Sequence, residues 1–393
     1  MRGDDLRGGL QVNPLDCCHG KGRYDDHLLT KALRGPRGED GPSNVLGEVS
    51  DPVVSRVGAV VIRTTPQTIL LISLVDDFFE DGVSSQHMGD IHRNRCKNHP
   101  MSIKIHFDME TQDPDDVMTL AILATHPRVD LVSLTLTPGG SDQVGLVKHV
   151  LERVGHPRAR IMQVGGDPQR GKASVSAFHE KWLGKWESKT PTYIAQDVLD
   201  SAARAGATLL TGAPLKNLER IPPFKRWVAQ GGFAGDSVVP LEYRIPKFAG
   251  KETCATFNFG GAPKIAEAML ESPEIGKKLL VSKNVCHGVT WDRSFHQQVK
   301  ALSKITPGMA LVLHGMNLYL SKNPEGKKLH DPLAMVVAIE PDVCEFRDVE
   351  VYRQRGEWGS RLKEGSDVAI TVALKDRKRF FEVLTDSDYS GPI

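Results

Sequence analysis

A short strand that runs into five acidic residues constrains this chain more than any other stretch. Apolar and polar residues alternate over 103–107, which is the period of a strand with one buried side. The acidic residues follow at the end of this strand and are Asp108, Glu110, Asp113, Asp115 and Asp116. Asp113 fits the N-cap and Pro114 the first position of a helix over 114–125. The stretch therefore predicts an acidic corner at the carboxyl end of a strand, where open α/β sheets bind their ligands.

Two interpretations of this corner compete. Acidic residues in the first turn of a helix complement its dipole, which accounts for Asp113, Asp115 and Asp116 without any ligand. That interpretation leaves Asp108 and Glu110 unexplained, because both precede the helix. Five carboxylates this close repel one another unless a cation neutralises them, and Ca²⁺ prefers carboxylate oxygens. The sequence therefore favours a metal site over a helix cap alone.

The segments that follow alternate between strand and helix patterns. The strands are predicted at 102–108, 130–136, 159–164 and 207–211, and the helices at 114–125, 141–154, 195–205 and 263–271. This alternation predicts an α/β fold with a mainly parallel central sheet and helices on both faces. We predict one domain over 101–393. Residues 1–100 are rich in Arg, Gly, Asp and Pro without a lasting period, which predicts a poorly structured, largely disordered N-terminal extension.

Composition excludes several partners and compartments. The net charge of +1 and the pI of about 7.7 give no argument for binding nucleic acid or an acidic membrane. The six cysteines are scattered, which disfavours a zinc site or a disulfide framework and predicts a reducing compartment. No segment is long enough to span a bilayer, and the first thirty or so residues lack the apolar core of a signal peptide. A cytoplasmic protein is predicted.

A second helix start carries acidic chemistry far along the chain. The segment Leu329-His330-Asp331-Pro332-Leu333-Ala334 opens an apolar helix, and on its own Asp331 reads as an N-cap and His330 as a loop residue. With the acidic corner, it resembles the inosine/uridine-preferring nucleoside hydrolases. Their signatures are Asp-x-Asp-Pro-Gly-x-Asp-Asp and Leu-His-Asp-Pro-x-Ala. Glu110 replaces the second Asp, and one extra residue follows it. The resemblance covers roughly 101–384 and identifies the chain as a divergent member.

The resemblance implies an activity and three sets of residues. The activity is Ca²⁺-dependent hydrolysis of the N-glycosidic bond of a ribonucleoside or a related N-riboside. The implied metal ligands are Glu110, Asp116, Asp331 and the main-chain carbonyl of Thr211. The implied catalytic residues are Glu110 as the base, or Asp108 if the extra residue shifts the register, and His330 beside the leaving base. The implied substrate-binding residues are Asp115, Asn258, His179, Gln230 and Thr256.

Three positions depart from the family at the sugar side. Gly140 stands where an Asn contacts the ribose, so that contact is lost or taken over by Asp142 or Gln143. Gly250 replaces another Asn, and Thr256 replaces the Glu that holds the 5′ hydroxyl. These changes predict a roomier pocket or a different glycoside.

Residues 165–190 form a long polar connection with an aromatic end, which is typical of a lid over a site. The family has a mobile loop with a His here, and His179 matches it. Trp182 or Trp186 lies either over a bound base or in the core.

Two rival functions remain open from the sequence. A member that binds a nucleoside without turnover is favoured by the altered sugar contacts and opposed by the acidic set and His330. An aspartyl-phosphate phosphatase is suggested by Asp108-Met109-Glu110-Thr111, which loosely resembles Asp-x-Asp-x-Thr, but it leaves the segment 330–332 unexplained. The predicted partner is a small nucleoside-like molecule, with neither nucleic acid nor membrane, and the resemblance implies a homo-oligomer, either a dimer or a tetramer.

Overall fold

The computed structural model describes residues 102–171, 174–191 and 193–386. The N-terminal extension predicted for residues 1–100 lies outside this part of the chain. None of the helices within the described ranges is long and apolar enough to cross a bilayer.

The strands and helices of the described residues alternate along most of the chain. The strands are β1 (Ile103–Met109), β2 (Val129–Leu136), β3 (Gln163–Gly166), β4 (Thr208–Thr211), β5 (Arg226–Gln230), β6 (Thr253–Cys254), β7 (Lys277–Val281), β8 (Thr290–Trp291), β9 (Lys327–Lys328), β10 (Cys344–Gln354), β11 (Glu357–Leu362) and β12 (Val368–Leu374). The helices are α1 (Pro114–Leu123), α2 (Ser141–Arg153), α3 (Ala177–Leu183), α4 (Ala195–Arg204), α5 (Phe257–Gly261), α6 (Pro263–Glu271), α7 (Lys283–His287), α8 (Arg293–Lys300), α9 (Pro307–Leu320), α10 (Asp331–Ile339) and α11 (Arg377–Thr385).

Ten of these strands form one twisted sheet in the order β3-β2-β1-β4-β5-β7-β12-β10-β11-β6. The first seven strands in that order are parallel, and β10, β11 and β6 add an antiparallel edge. The chain builds outwards from β1 in both directions, with β2 on one side and β4 on the other. This reversal of strand order opens a crevice at the carboxyl end of β1, which is where α/β sheets bind ligands.

The two faces of the sheet carry separate apolar cores. Ile105, Phe107 and Met109 of β1 face one core, which α1, α2, α9 and α10 complete. Leu209 of β4 faces the other core, to which α4 and α6 contribute. The prediction of a mainly parallel sheet with helices on both faces is confirmed. The antiparallel edge was not predicted, because β10 is half exposed along much of its length and has no strong apolar alternation.

One predicted strand was misplaced. The prediction put a strand at 159–164, whereas β3 begins only at Gln163. The Arg158 guanidinium donates to the Leu131 carbonyl at 2.7 Å and pairs with Asp130, and the Met162 N–H donates to the Arg158 carbonyl at 2.7 Å. These bonds hold the preceding residues in a turn, so the strand starts after them.

Candidate active site

Three buried carboxylates from two distant parts of the chain meet at the crevice. Asp115 and Asp116 lie in the first turn of α1, and Asp331 is the first residue of α10. Each offers a carboxylate oxygen, and these oxygens lie within 4.8 Å of one another. The structure thus brings together two of the four predicted metal ligands, Asp116 and Asp331, and adds Asp115, which was predicted to bind the sugar.

Main-chain hydrogen bonds connect the two helix starts. The N–H groups of His330 and Asp331 donate to Asp115 Oδ2 at 3.0 Å and 3.3 Å. The N–H of Glu110 donates to Asp116 Oδ1 at 3.2 Å, which places the partly exposed Glu110 beside the same cluster. The first N–H groups of a helix have no partner within the helix, and Asp115 supplies one for α10. Asp115 therefore fixes Asp331 relative to α1.

A glycine allows Asp331 to approach the end of β4. A Cβ added at Gly212 would lie 2.5 Å from Asp331 Oδ2, closer than real Cβ contacts come. The N–H of Gly212 donates to the Asp108 carbonyl at 2.8 Å. The preceding residue is Thr211, whose hydroxyl accepts from Trp227 Nε1 at 3.0 Å. The buried oxygens collected here are the donor set of a hard divalent cation, so the residues fit Ca²⁺.

The chain also supplies a cation of its own. Lys327 Nζ lies 2.7 Å from Asp113 Oδ1 and 3.1 Å from Asp115 Oδ1, with only 8% of its side chain exposed. Burial alone would lower the pKa of Lys327, but the two carboxylates outweigh it and raise that pKa, so the ammonium group stays charged. Sequence reasoning expected a metal to neutralise all five acids. It missed Lys327, whose signal is the basic pair Lys327-Lys328 just before His330.

Lys327 pairs with Asp113 and Asp115 but not with Glu110, Asp116 or Asp331. Burial, followed by the charges of Asp113 and Asp115, raises the pKa of Glu110 to about 7. Burial and neighbouring carboxylates also raise the pKa values of Asp116 and Asp331 well above their usual range. A cation bound between these groups would reverse that trend, because it favours the charged carboxylates.

This charge imbalance predicts a pH dependence of stability. A carboxyl whose pKa is higher in the folded than in the unfolded state stabilises the fold below its unfolded pKa, and this contribution is lost as the pH rises through the folded pKa. Between about pH 4 and pH 7, the metal-free protein should therefore lose stability. Stabilisation by added Ca²⁺ should grow over the same range. Calorimetric melting temperatures with a chelator and with saturating Ca²⁺ measure both effects. A Ca²⁺-induced shift that is independent of pH would contradict the prediction.

Asp108 is held through one of its two carboxylate oxygens, and its buried Oδ2 has no partner among the described residues. It is fully buried, and its Oδ1 accepts from Thr135 Oγ1 at 2.6 Å and from Asn217 Nδ2 at 2.8 Å. Burial, partly opposed by these bonds, raises the pKa of Asp108 to about 6. His106 continues the network at 3.0 Å from Thr135 Oγ1, and burial lowers its pKa to about 3, so it is neutral. Sequence reasoning missed the supporting side chains of His106, Thr135 and Asn217, because Thr135 and Asn217 come from other segments of the chain.

The two predicted histidines occupy different environments. His330 has a buried Nε2 without a partner among the described residues, and its ring centroid lies 5.5 Å from that of His287. His179 is fully buried in α3 and donates from Nε2 to the Thr111 carbonyl at 3.0 Å. Burial lowers the pKa of each histidine to about 4, so both are neutral at pH 7. His179 thus holds the residue that follows Glu110, and its buried Nδ1 has no partner among the described residues.

The segment 165–190 is not a loop throughout, because it contains α3. Trp182 is 2% exposed and donates from Nε1 to the Leu311 carbonyl at 2.8 Å. It belongs to the core and not to a base-stacking lid. Trp186 is half buried, and its Nε1 donates to the Asp142 carbonyl at 3.1 Å, which ties the segment to the start of α2.

The two predicted substitutes for the contact at Gly140 lie in different environments. Gln143 is buried, its Oε1 accepts from the N–H groups of Gly139 and Gly140, and its Nε2 donates to Thr111 Oγ1 and the Thr137 carbonyl. All four hydrogen bonds of this amide are thus made within the protein. Asp142 is exposed and accepts from the Ser188 hydroxyl. Gln143 therefore rigidifies the turn beside the acids, and a sugar contact by Asp142 stays a prediction.

The predicted sugar-side residues meet at the carboxyl end of β5. Asn258 Nδ2 donates to the Gln230 carbonyl at 3.0 Å and to Gln230 Oε1 at 2.8 Å. Thr256 is 7% exposed, and its hydroxyl has no partner among the described residues. Gly250 has φ +77 and no atom within 4 Å of an added Cβ, so a turn in the left-handed region accounts for the glycine there.

Comparison with known proteins agrees with this geometry at the level of the fold. No protein-family model matches the chain, and no curated protein matches its sequence. Solved structures do match. A plant nucleoside hydrolase is 18% identical with a TM-score of 0.54, and the match covers 74% of this chain and 99% of the plant chain. An inosine-uridine preferring nucleoside hydrolase from Bacillus anthracis is 16% identical with a TM-score of 0.54, covering 72% and 98% of the two chains.

A purine-preferring ribonucleoside hydrolase from Gardnerella vaginalis is 15% identical with a TM-score of 0.52, covering 72% of this chain and 98% of that enzyme. All three matches span nearly the whole of the solved chains, so the agreement concerns the fold as a whole. The resemblance noted in the sequence is thereby confirmed in three dimensions, and the chain has the fold of the nucleoside hydrolases.

Proposed function

We propose that this protein is a Ca²⁺-dependent hydrolase that cleaves the N-glycosidic bond of a ribonucleoside or a related N-riboside. The observation that carries the proposal is the convergence of Asp115, Asp116 and Asp331 at the crevice of a fold shared with enzymes described as nucleoside hydrolases. An acidic helix start accounts for each of these residues within its own helix, but not for the meeting of three buried carboxylates from two helices.

Four groups would hold the ion: the carboxylates of Glu110, Asp116 and Asp331 and the carbonyl of Thr211. Bound Ca²⁺ would lower the pKa of a coordinated water and provide a contact for sugar hydroxyls. Asp115 has one oxygen fixed by two N–H groups and the other paired with Lys327, so it holds the helix starts together and presents a charged edge to a sugar hydroxyl.

Glu110 is the proposed general base. The hydrogen bond from its N–H to Asp116 Oδ1 keeps it beside the carboxylates that would hold the ion and its water, within the reach that a general base needs. It is also partly exposed, whereas Asp108 is buried behind Thr135 and Asn217. His330 offers its unpartnered Nε2 to the leaving base, and Asn258 with Gln230 lines the sugar side. Positive charge that grows on the ribosyl ring is stabilised by the surrounding carboxylates.

The rival functions differ in what they require of the same residues. An aspartyl-phosphate phosphatase needs an exposed nucleophilic Asp108, and the burial of that side chain argues against it. A binder without turnover needs the carboxylates but no general base. The proposed substrate is a small nucleoside-like molecule. A cytoplasmic location remains a prediction. A homo-oligomer, either a dimer or a tetramer, is also a prediction, and light scattering on the purified protein would test it.

The test is release of nucleobase and reducing sugar from a panel of ribonucleosides by the full chain, with Ca²⁺ and after chelation. Release should require Ca²⁺, and Glu110→Gln should lower its rate about 100-fold or more, the usual contribution of a general base. Glu271→Gln, at the far end of α6, is the matched control and should leave the rate unchanged. Binding of both Ca²⁺ and a nucleoside without release of any base would establish the binder instead.

A further inference from the structure

Three lysines surround the outer side of His330 and His287. Lys247 Nζ lies 3.4 Å from His287 Nδ1, and Lys328 Nζ donates to Thr290 Oγ1 at 2.7 Å. Lys283 Nζ donates to the Ala255 carbonyl at 2.7 Å. Burial and the nearby charges of Lys247, His330, Lys283 and Lys328 lower the pKa of His287 to about 3. The three lysines therefore place positive charge near His287.

These lysines differ from Lys327 in having no acidic partner. Within 102–171, 174–191 and 193–386, no carboxylate forms an ion pair with Lys247, Lys283 or Lys328, whereas Lys327 is paired with Asp113 and Asp115. The contacts of all three are to carbonyl, hydroxyl or imidazole acceptors, which leave the positive charge uncompensated. Such a cluster beside a crevice is suited to an anionic group.

A second, independent feature lies next to the cluster. Lys283 bonds the carbonyl of the residue before Thr256, and the buried Thr256 hydroxyl has no partner within the described ranges. An unsatisfied buried hydroxyl is costly, so it indicates a missing ligand atom. The main-chain N–H of Lys283 donates to the Gly232 carbonyl at 3.1 Å, which places this lysine at the same sheet edge as Gln230 and Asn258.

We propose that the substrate carries a phosphate on the 5′ carbon of the sugar, that is, a ribonucleoside 5′-monophosphate. This inference rests on the proposed hydrolase function. The phosphate oxygens accept from Lys283 Nζ and Thr256 Oγ1, and Lys247 adds positive charge. In the resemblance noted above, Thr256 takes the place of a Glu that holds a 5′ hydroxyl. A carboxylate there would repel a phosphate, whereas a hydroxyl beside a lysine attracts one.

The reaction balances without any further reagent. Water adds to C1′ and the bond from C1′ to the base nitrogen breaks. Glu110 takes one proton of the water, the remaining hydroxyl bonds to C1′, and the proton returns through solvent to the nitrogen of the leaving base. The products are the free base and ribose 5-phosphate, and the phosphate ester stays intact.

The experiment compares kcat/KM for four ribonucleosides with kcat/KM for their 5′-monophosphates, using the full chain. We expect the monophosphate to be preferred at least tenfold, and Lys283→Met to reduce that preference roughly tenfold or more, the usual weight of a hydrogen bond to a charged group. Lys283→Glu should reverse it in favour of the nucleoside. Lys104→Met is the matched control, because Lys104 also donates to a backbone carbonyl, at 3.3 Å, but at the opposite end of β1. It should leave the preference unchanged.

The outcomes separate this inference from the proposed function. Hydrolysis of nucleosides with equal or weaker activity on monophosphates would overturn the phosphate site and leave the hydrolase standing. If neither series is hydrolysed, calorimetric binding decides. Tighter binding of the monophosphates, lost in Lys283→Met, would support the site without turnover, and equal binding would overturn it.

Discussion

Replacement of Asp331 by Asn is expected to lower nucleobase release about 1,000-fold and to abolish Ca²⁺ binding. Asp331 connects α10 to the acidic start of α1, and its oxygen is one of three that lie within 4.8 Å of one another. Asn keeps the shape of the side chain but removes the charge that a hard cation requires. The loss should therefore appear both in the rate and in calorimetric titration with Ca²⁺.

The stability of the same variant separates loss of the ion from loss of the fold. Burial and neighbouring carboxylates raise the pKa of Asp331, so its charged form weakens the metal-free protein near neutral pH. Asp331→Asn should leave the melting temperature in chelator unchanged or higher. Asp342→Asn, an exposed acid beyond the other end of α10, is the control and should retain activity and Ca²⁺ binding. A variant that melts lower in chelator would show a structural role instead.

Replacement of Gly212 by Ala is expected to reduce the rate about 100-fold, the cost of displacing a reacting group by about 1 Å. The new Cβ would lie 2.5 Å from Asp331 Oδ2 and 2.7 Å from its Cγ, so the carboxylate must move away from the end of β4. Ca²⁺ affinity should fall with the rate, although the substitution adds no charge and removes no ligand. Steady-state kinetics and Ca²⁺ titration measure the two losses.

Gly260→Ala is the matched control for this substitution. An added Cβ at Gly260 meets no atom within 4 Å, and the residue lies in helical α5, so alanine should be neutral or slightly stabilising. Equal Ca²⁺ affinity in Gly212→Ala and the unmodified protein would show that Asp331 does not take part in holding the ion.

The parts of this structure that the sequence predicts well are encoded locally. The acidic corner needed only the alternation over 103–107, the Asp-Pro helix start and the apolar run that follows, and α1 begins at Pro114 as predicted. The start of α10 was predicted from the same kind of signal. Each site residue on these two segments is placed by the few residues around it.

The missed parts depend on contacts between distant segments. The basic pair Lys327-Lys328 is visible in the sequence, but only the fold shows that Lys327 pairs with Asp113 and Asp115 far earlier in the chain. The sequence suggested Gln143 as a sugar contact. Only the fold shows that its side-chain amide is hydrogen-bonded to the turn at Gly139 and to Thr111. The sequence could not decide whether Trp182 lies over a bound base or in the core. The burial of Trp182 depends on the distant helix α9, whose Leu311 carbonyl accepts from its Nε1.

The antiparallel edge of the sheet has a consequence for how this protein can diversify. The hairpin of β10 and β11 contributes none of the acids, yet β11 pairs with β6 through Trp358 and Cys254, two residues before Thr256. Changes in the hairpin are thus expected to shift Thr256 while α1 and α10 stay in place. If the proposed phosphate site is correct, exchanging the hairpin would alter substrate preference without rebuilding the cluster of Asp115, Asp116 and Asp331.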